Sequence, residues 1–240
     1  IIGGRGEKTG KLSYNRATQA VRQPGSSLKP LTVYGRAFEE NLVTLGTIIE
    51  DSPVMKYDGS DWPANADGKY HGDMSIYKAL TNSYNPPAVR VLKLQQDNDG
   101  TFSTVLNFAK DTLKLSGLQD NDKSGLAPLS LGALSKGVTV LEMTRAFSVY
   151  ANKGNFTDSR SYTRVESYSG KTVLQKDVSK QSVYSEQTAY LMTYTLENVV
   201  AETYFGRAAK VYGVETAGKT GTTSFYNDRW FIGYTPYYLA

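Results

Sequence analysis

Apolar positions in the middle of the chain recur at helical spacing, and strand-like segments lie towards its ends. Phe102, Val105, Leu106, Ala109 and Leu113 fall three and four residues apart, which predicts a helix over 101–113. A first helix is expected from Gly25-Ser26 towards Glu40, with Pro30 near the first turn, where a missing N–H costs least. Ser75 to Thr81 reads as a short helix with Ile76, Ala79 and Leu80 on one side. It stops at Ser83-Tyr84-Asn85-Pro86-Pro87, because a residue before proline is pushed out of the helical region, and a further helix runs from about Ala88 to Gln95. Thr139-Val140-Leu141-Glu142 is a capping box. The helix it opens carries Leu141, Phe147 and Tyr150 and ends at Asn152-Lys153-Gly154; Ser185 caps another through about Val199.

Strands are expected elsewhere. Tyr162 to Lys176 reads as a hairpin turning at Ser169-Gly170, with Val165 and Val173 on its arms. Lys219 to Thr223 and Arg229 to Tyr234 read as two strands joined at 224–228, in which Trp230, Phe231 and Tyr234 serve packing and strand pairing. Gly3 to Gly10 reads as a turn after an initial strand, and 51–72, rich in Pro, Gly, Asp and Asn, as long irregular structure. The element order implies an α+β layer fold.

A length of 240 residues suits one large domain, and no boundary, repeat or low-complexity tract divides it. No apolar run approaches the ~18 residues of a membrane helix, and the first residues do not form a signal peptide. The chain opens in mid-strand at Ile1-Ile2 and stops on strand-like Tyr237-Tyr238-Leu239-Ala240, as an excised piece of a longer protein would. The net charge of +4 is spread without a basic run, which argues against nucleic acid as a partner. There is no cysteine, and neither an HExxH pattern nor a His/carboxylate cluster occurs, so disulfides and a metal site are not expected.

The candidate chemistry lies in three short patterns: Ser26-x-x-Lys29, Ser83-x-Asn85 and Lys219-Thr220-Gly221. A serine and a lysine three residues apart share a helix face, which places a nucleophile and a base within one turn without a histidine. The single histidine, His71, reads as a loop residue without catalytic duty. Each pattern is weak alone, since Ser75-x-x-Lys78, Ser13-Tyr14-Asn15 and Lys8-Thr9-Gly10 duplicate them. Only Ser26, Ser83 and Lys219 run in order at domain-scale separations. Ser26 also begins a helix, whose positive end favours a developing anion. Ser83 to Asn85 closes a helix into a proline-held loop, and Lys219 to Thr223 lies on an edge strand. There Gly221 lets another backbone approach, and the Thr220 and Thr222 hydroxyls can hold a carboxylate.

This ordered triple is shared by penicillin-binding proteins and class A β-lactamases. The chain resembles the transpeptidase domain of class A, bifunctional penicillin-binding proteins. The likeness extends through Asn15 to Ala20, Arg22 to Pro30, Trp62-Pro63-Ala64-Asn65, Ala79 to Val89, Leu131-Gly132-Ala133, Tyr150 to Gly154, Gly218 to Thr223 and Asp228 to Pro236. The resemblance implies an antiparallel sheet flanked by helices with a largely helical subdomain, truncated at both ends. It makes 1–240 an incomplete transpeptidase domain, without the glycosyltransferase domain and membrane anchor of such proteins. It further implies a peptidoglycan D,D-transpeptidase at the extracytoplasmic face of the bacterial membrane, inhibited by β-lactams and needing no cofactor. Its partners would be donor and acceptor stem peptides.

On that resemblance Ser26 is the nucleophile, Lys29 the base, Ser83 the proton relay, Asn85 a partner of the substrate amide that also helps to anchor Lys29, and Lys219 the neighbouring cation. The N–H groups of Ser26 and Thr222 form the oxyanion hole, and Thr220, Gly221, Thr222 and Thr223 bind substrate. Lys29 can act only if burial and cations tune its pKa towards ~7–8. A serine β-lactamase and a non-catalytic β-lactam or peptidoglycan sensor are the alternatives.

Overall fold

The computed structural model describes Glu7, Gly10, Lys11 and residues 13–240. The expected initial strand, and all but the end of the turn at Gly3 to Gly10, lie outside them. The fold is α+β. Helices surround short antiparallel ladders, and one apolar core runs from Leu28 to Tyr234. Among the described residues no helix is long and apolar enough to cross a membrane.

The expected helix over 25–40 forms, but its winding changes twice. Gly25–Leu28 is a 3-10 turn, Pro30–Tyr34 a π-turn, and Gly35–Glu39 an α-helix, α1. Pro30 explains the changes. It has no N–H to offer Ser26, so the Ser26 carbonyl takes the Lys29 N–H in a tighter step, while the Pro30 carbonyl takes the Gly35 N–H in a wider one. A wide turn persists only if its backbone groups are satisfied. Tyr150 Oη and Tyr184 Oη donate to the carbonyls of Pro30 and Leu31, both at 2.7 Å, from rings stacked 5.6 Å apart. Gln95 Nε2 donates to those of Thr32 and Val33.

The stretch 51–72, expected to be irregular, is irregular over 52–54 and 63–71 but holds a hairpin, β2 (Met55–Tyr57) against β3 (Ser60–Trp62), and its two ends join the pair β1 (Ile48–Asp51) and β4 (Gly72–Ser75). The tight turn between β2 and β3 is Asp58-Gly59, both at positive φ. That dipeptide is a strong hairpin signal that the composition of the stretch obscures. A short helix, α2 (Ile76–Thr81), and a longer one, α3 (Asn85–Asp99), follow. The second begins three residues earlier than expected, because prolines at its first positions lose only N–H groups that have no helical partner.

Further on come α4 (Ser103–Asn107), which continues into a π-turn to Thr112, α5 (Leu126–Leu131) and α6 (Val140–Ala151). The capping box of α6 closes as expected, with Glu142 Oε2 accepting the Thr139 N–H at 2.8 Å and Thr139 Oγ1 the Glu142 N–H at 3.2 Å. β5 (Asn155–Thr157) pairs with β8 (Lys180–Ser182), and β6 (Arg164–Glu166) with β7 (Thr172–Gln175) in the expected exposed hairpin. Ser185 caps α7 (Glu186–Glu202), which outruns the expected end at Val199 and leads to α8 (Tyr204–Arg207). Finally β9 (Ala217–Thr222) pairs with β10 (Arg229–Tyr234), and the last residues fold back so that Gly233 and Ala240 exchange two backbone bonds.

The join between α2 and α3 is strained. Tyr84 N–H bonds to the Ala79 carbonyl and Ser83 N–H to that of Leu80, the paired bonds of a helix end whose key residue is usually glycine in the left-handed region. That residue is Ser83, at φ +62°. A side chain there costs about 1–2 kcal/mol. We therefore expect Ser83→Gly to be more stable than Ser83→Ala by about 1 kcal/mol in chemical denaturation, since both lose the hydroxyl and only one keeps the strain. Equal stabilities would show that the turn carries none.

Candidate active site

A cleft of about 560 Å³ opens between the 25–28 turn, the 81–85 loop and β9; Ser26, Ser83, Asn85, Thr220, Thr222 and Thr223 line it. Ser26 sits half-buried in the 3-10 turn, where residues three apart eclipse one another. Its neighbour Ser27 is buried and donates to the Pro24 carbonyl at 2.7 Å, so Ser26 is the serine of the pair that faces the cleft. The segment before it is clamped on two sides. Trp230 Nε1 donates to the Gln23 carbonyl at 2.8 Å, and Arg22 and Val138 exchange backbone bonds. Two glycines bring β9 against this turn. A Cβ on Gly221 would lie 2.2 Å from the Pro24 carbonyl oxygen, and one on Gly25, itself at φ +55°, 2.6 Å from that of Thr222. Ser26 and Thr222 thereby come to one wall of the cleft.

Both lysines are fully buried. Lys29 Nζ donates to the carbonyls of Ser83 and Tyr84, at 2.7 and 3.1 Å, and to Asn85 Oδ1 at 2.7 Å. Lys219 Nζ donates to Ser83 Oγ at 2.7 Å and to its neighbour's carbonyl, that of Thr220, at 3.1 Å. Three sequence patterns more than fifty residues apart therefore meet on one three-residue loop. The three acceptors around Lys29 match the donor capacity of a lysine ammonium group. Burial, followed by repulsion from Lys219, holds the Lys29 amine well below the ordinary lysine range, while Asp51 opposes them. Burial pulls Lys219 down to about 7.

The duplicate patterns lie elsewhere. Ser75 caps α2 by accepting the Lys78 N–H at 3.3 Å, and Lys78 is exposed. Ser13, Tyr14 and Asn15 are exposed, and Asn15 serves a turn through its bonds with Ala17 and Gln19. Lys8 and Thr9 lie outside the described residues. His71 is an exposed loop residue; Nε2 lies 2.9 Å from Asp67 Oδ2, and its ring packs on Tyr84 at 4.5 Å. Sequence reasoning missed other parts of the cleft wall, among them Asp67, Thr203, Phe205 and Tyr226. Phe205 and Tyr226 are large exposed aromatics, but their position over the cleft comes from α8 and the 224–226 turn, which no periodicity marks.

The family described as the penicillin-binding protein transpeptidase domain matches residues 5–238. The chain is similar to penicillin-binding protein 1A of Clostridium botulinum, with 35% identity over 249 residues that cover 100% of this chain and 29% of that protein. It is also similar to penicillin-binding protein 1F of Bacillus subtilis, with 38% identity over 98% of this chain and 31% of that protein. It thus spans less than a third of either relative. Among solved structures it resembles the D,D-transpeptidase domain of a peptidoglycan glycosyltransferase from Eggerthella lenta (TM-score 0.75, 20% identity, 93% of this chain and 59% of that one). A second likeness is to the PonA1 protein of Mycobacterium tuberculosis in complex with penicillin V (TM-score 0.75, 25% identity, 94% of this chain and 60% of that one). The fold, the ordered patterns and a match over nearly the full length agree: the chain belongs to the penicillin-binding protein transpeptidase family.

Proposed function

We propose that this chain is a peptidoglycan D,D-transpeptidase that works through an acyl-serine on Ser26. The observation that carries the reading is the meeting of two buried lysines, Lys29 and Lys219, at the Ser83–Asn85 loop beside a cleft-facing serine. Lys29, once neutral, takes the Ser26 hydroxyl proton as the oxygen attacks the penultimate D-alanine carbonyl of a donor stem peptide. The backbone N–H groups of Ser26 and Thr222 receive the oxyanion, an arrangement in which one donor is worth ~10²–10³ in rate. Ser83, which accepts a hydrogen bond from Lys219, passes its own proton to the leaving nitrogen and takes in return the proton that Lys29 removed from Ser26, so that Lys29 is neutral again. The C–N bond breaks and terminal D-alanine leaves as the amine. Thr220, Gly221, Thr222 and Thr223 hold the substrate carboxylate, and Asn85 anchors its amide. An amine of a neighbouring stem peptide then resolves the ester into a cross-link. A β-lactam follows the same first step but keeps its leaving nitrogen tethered, so the acyl form persists. The enzyme would act at the extracytoplasmic face of the bacterial membrane, without a cofactor.

The nucleophile is tested with a fluorescent penicillin. Wild-type protein should carry a stable covalent label and Ser26→Ala none; a labelled Ser26→Ala would assign the nucleophile elsewhere. Rapid release of hydrolysed product would favour a β-lactamase, and labelling without cross-linking of a lipid-linked glycan would favour a sensor.

The lysines set the pH dependence. A base must be neutral, so acylation should rise with pH to a plateau, the rising limb lying below the ordinary lysine range, as the lysine pair gives up a proton. Lys29→Arg stays charged at every accessible pH and should lower the acylation rate by about 10²–10⁴. The same shift acts on folding. Between about 7 and 10.5 the unfolded Lys219 holds a proton that the folded one has lost, so its contribution makes stability rise with pH across that window. Thermal melts of wild type against Lys219→Met, compared from pH 7 to 10, should show the larger gain in the wild type, since the variant keeps only the share of Lys29.

A further inference from the structure

Asp51 ends β1, is fully buried, and lies outside the three patterns. Its hydrogen-bond donors are both neutral: Asn65 Nδ2, at 2.9 Å from Oδ1 and 2.8 Å from Oδ2, and the His71 backbone N–H, at 2.9 Å from Oδ2. A carboxylate taken out of water among neutral donors needs compensation, and two fully buried ammonium groups need it equally. Asn65 connects the two problems. Its amide is almost fully buried, donates to Asp51 and to the Lys69 carbonyl, and turns Oδ1 towards the Asn85 backbone N–H at 2.7 Å. Asn85 then donates through Nδ2 to the Ala64 carbonyl at 2.6 Å and accepts Lys29 Nζ through Oδ1 at 2.7 Å. The line Asp51, Asn65, Asn85, Lys29 is continuous, each link within 3 Å.

Asp51 also fixes which way Asn65 faces. An amide can donate on one side and accept on the other. A carboxylate accepts only, so it forces the Asn65 NH₂ towards itself and leaves the oxygen for Asn85. The geometry points to Asp51, acting through Asn65, as a positioning residue for acylation: it holds Asn85 on Lys29 and supplies the buried counter-charge to Lys29. This rests on the acyl-serine reading above.

The charged groups acting on Lys29 are Lys219 on β9 and Asp51 at the end of β1, with opposite sign. The phenols of Tyr34, Tyr70 and Tyr84 also feel Asp51; burial comes first for all three, then Asp51 for Tyr34, Asp61 before Asp51 for Tyr70 and Asp67 before Asp51 for Tyr84, and all push their ionisation up. His71 meets Asp51 through its backbone N–H, while its ring faces Asp67. Removing the Asp51 charge therefore removes the one anion that favours the Lys29 ammonium.

Two variants separate charge from orientation, each measured as the rate of acylation by a fluorescent penicillin from pH 5 to 10, with folding followed by thermal melts. Asp51→Asn should move the rising limb of the pH profile to lower pH, because Lys29 loses its proton more readily. Asn65→Ala keeps the charge but breaks the line, so the limb should stay in place while the plateau falls by about tenfold to a hundredfold, as small misplacements of catalytic groups do. A folded Asp51→Asn with the wild-type limb overturns the counter-charge, and a folded Asn65→Ala with the wild-type plateau overturns the positioning. If Asp51→Asn does not fold, Asn65→Ala alone decides. Wild-type protein that fails to label at any pH would instead refute the acyl-serine reading.

Discussion

Two lysines without access to water are the constraint around which the site is built. Burial works against a charged amine, and a second buried amine nearby adds repulsion. The surrounding structure answers both. The carbonyls of Ser83 and Tyr84 and the side-chain oxygen of Asn85 surround Lys29, and the hydroxyl of Ser83 receives Lys219. The outcome is a pair of amines held below the ordinary lysine range, with Lys219 brought to about 7, a balance between neutral and charged forms that surface lysines do not reach. Acid–base chemistry at neutral pH without histidine depends on that balance, and it exists only while the 83–85 loop, the 25–29 turn and β9 are held together.

Holding them together has a local cost. Ser83 occupies a backbone region that glycine fills more easily, in a helix end whose two hydrogen bonds demand that conformation. The serine is retained where its hydroxyl meets Lys219, so strain and proposed function coincide on one residue. The close passage of Gly25 and Gly221 is the complementary case. There the absence of side chains lets β9 sit on the turn that carries Ser26, and a methyl group at either position would meet backbone.

Local signals were legible where they depend on neighbours in the chain. The capping box at Thr139, the Ser185 cap, the 162–176 hairpin and the β9–β10 pair all formed as expected, because each is built from contacts within a few residues. The Asp58-Gly59 turn was equally local and was obscured by the polar composition around it. The changes of winding at Pro30 were not legible, since a π-turn stands only when distant groups, here Tyr150, Tyr184 and Gln95, satisfy its carbonyls.

The order of Ser26-x-x-Lys29, Ser83-x-Asn85 and Lys219-Thr220-Gly221, with the residues flanking them, was enough to single out these patterns from their duplicates and to point to the family. No reading of the chain reveals that the carbonyls of Ser83 and Tyr84 also receive Lys29, that Ser83 is strained, or that Asp51 and Asn65 stand behind Asn85. The reason is physical. A motif records which groups are present, whereas the protonation state and direction of a buried group depend on desolvation and on partners brought from β1, the 64–71 loop and β9. Those distances exist only after the chain has folded.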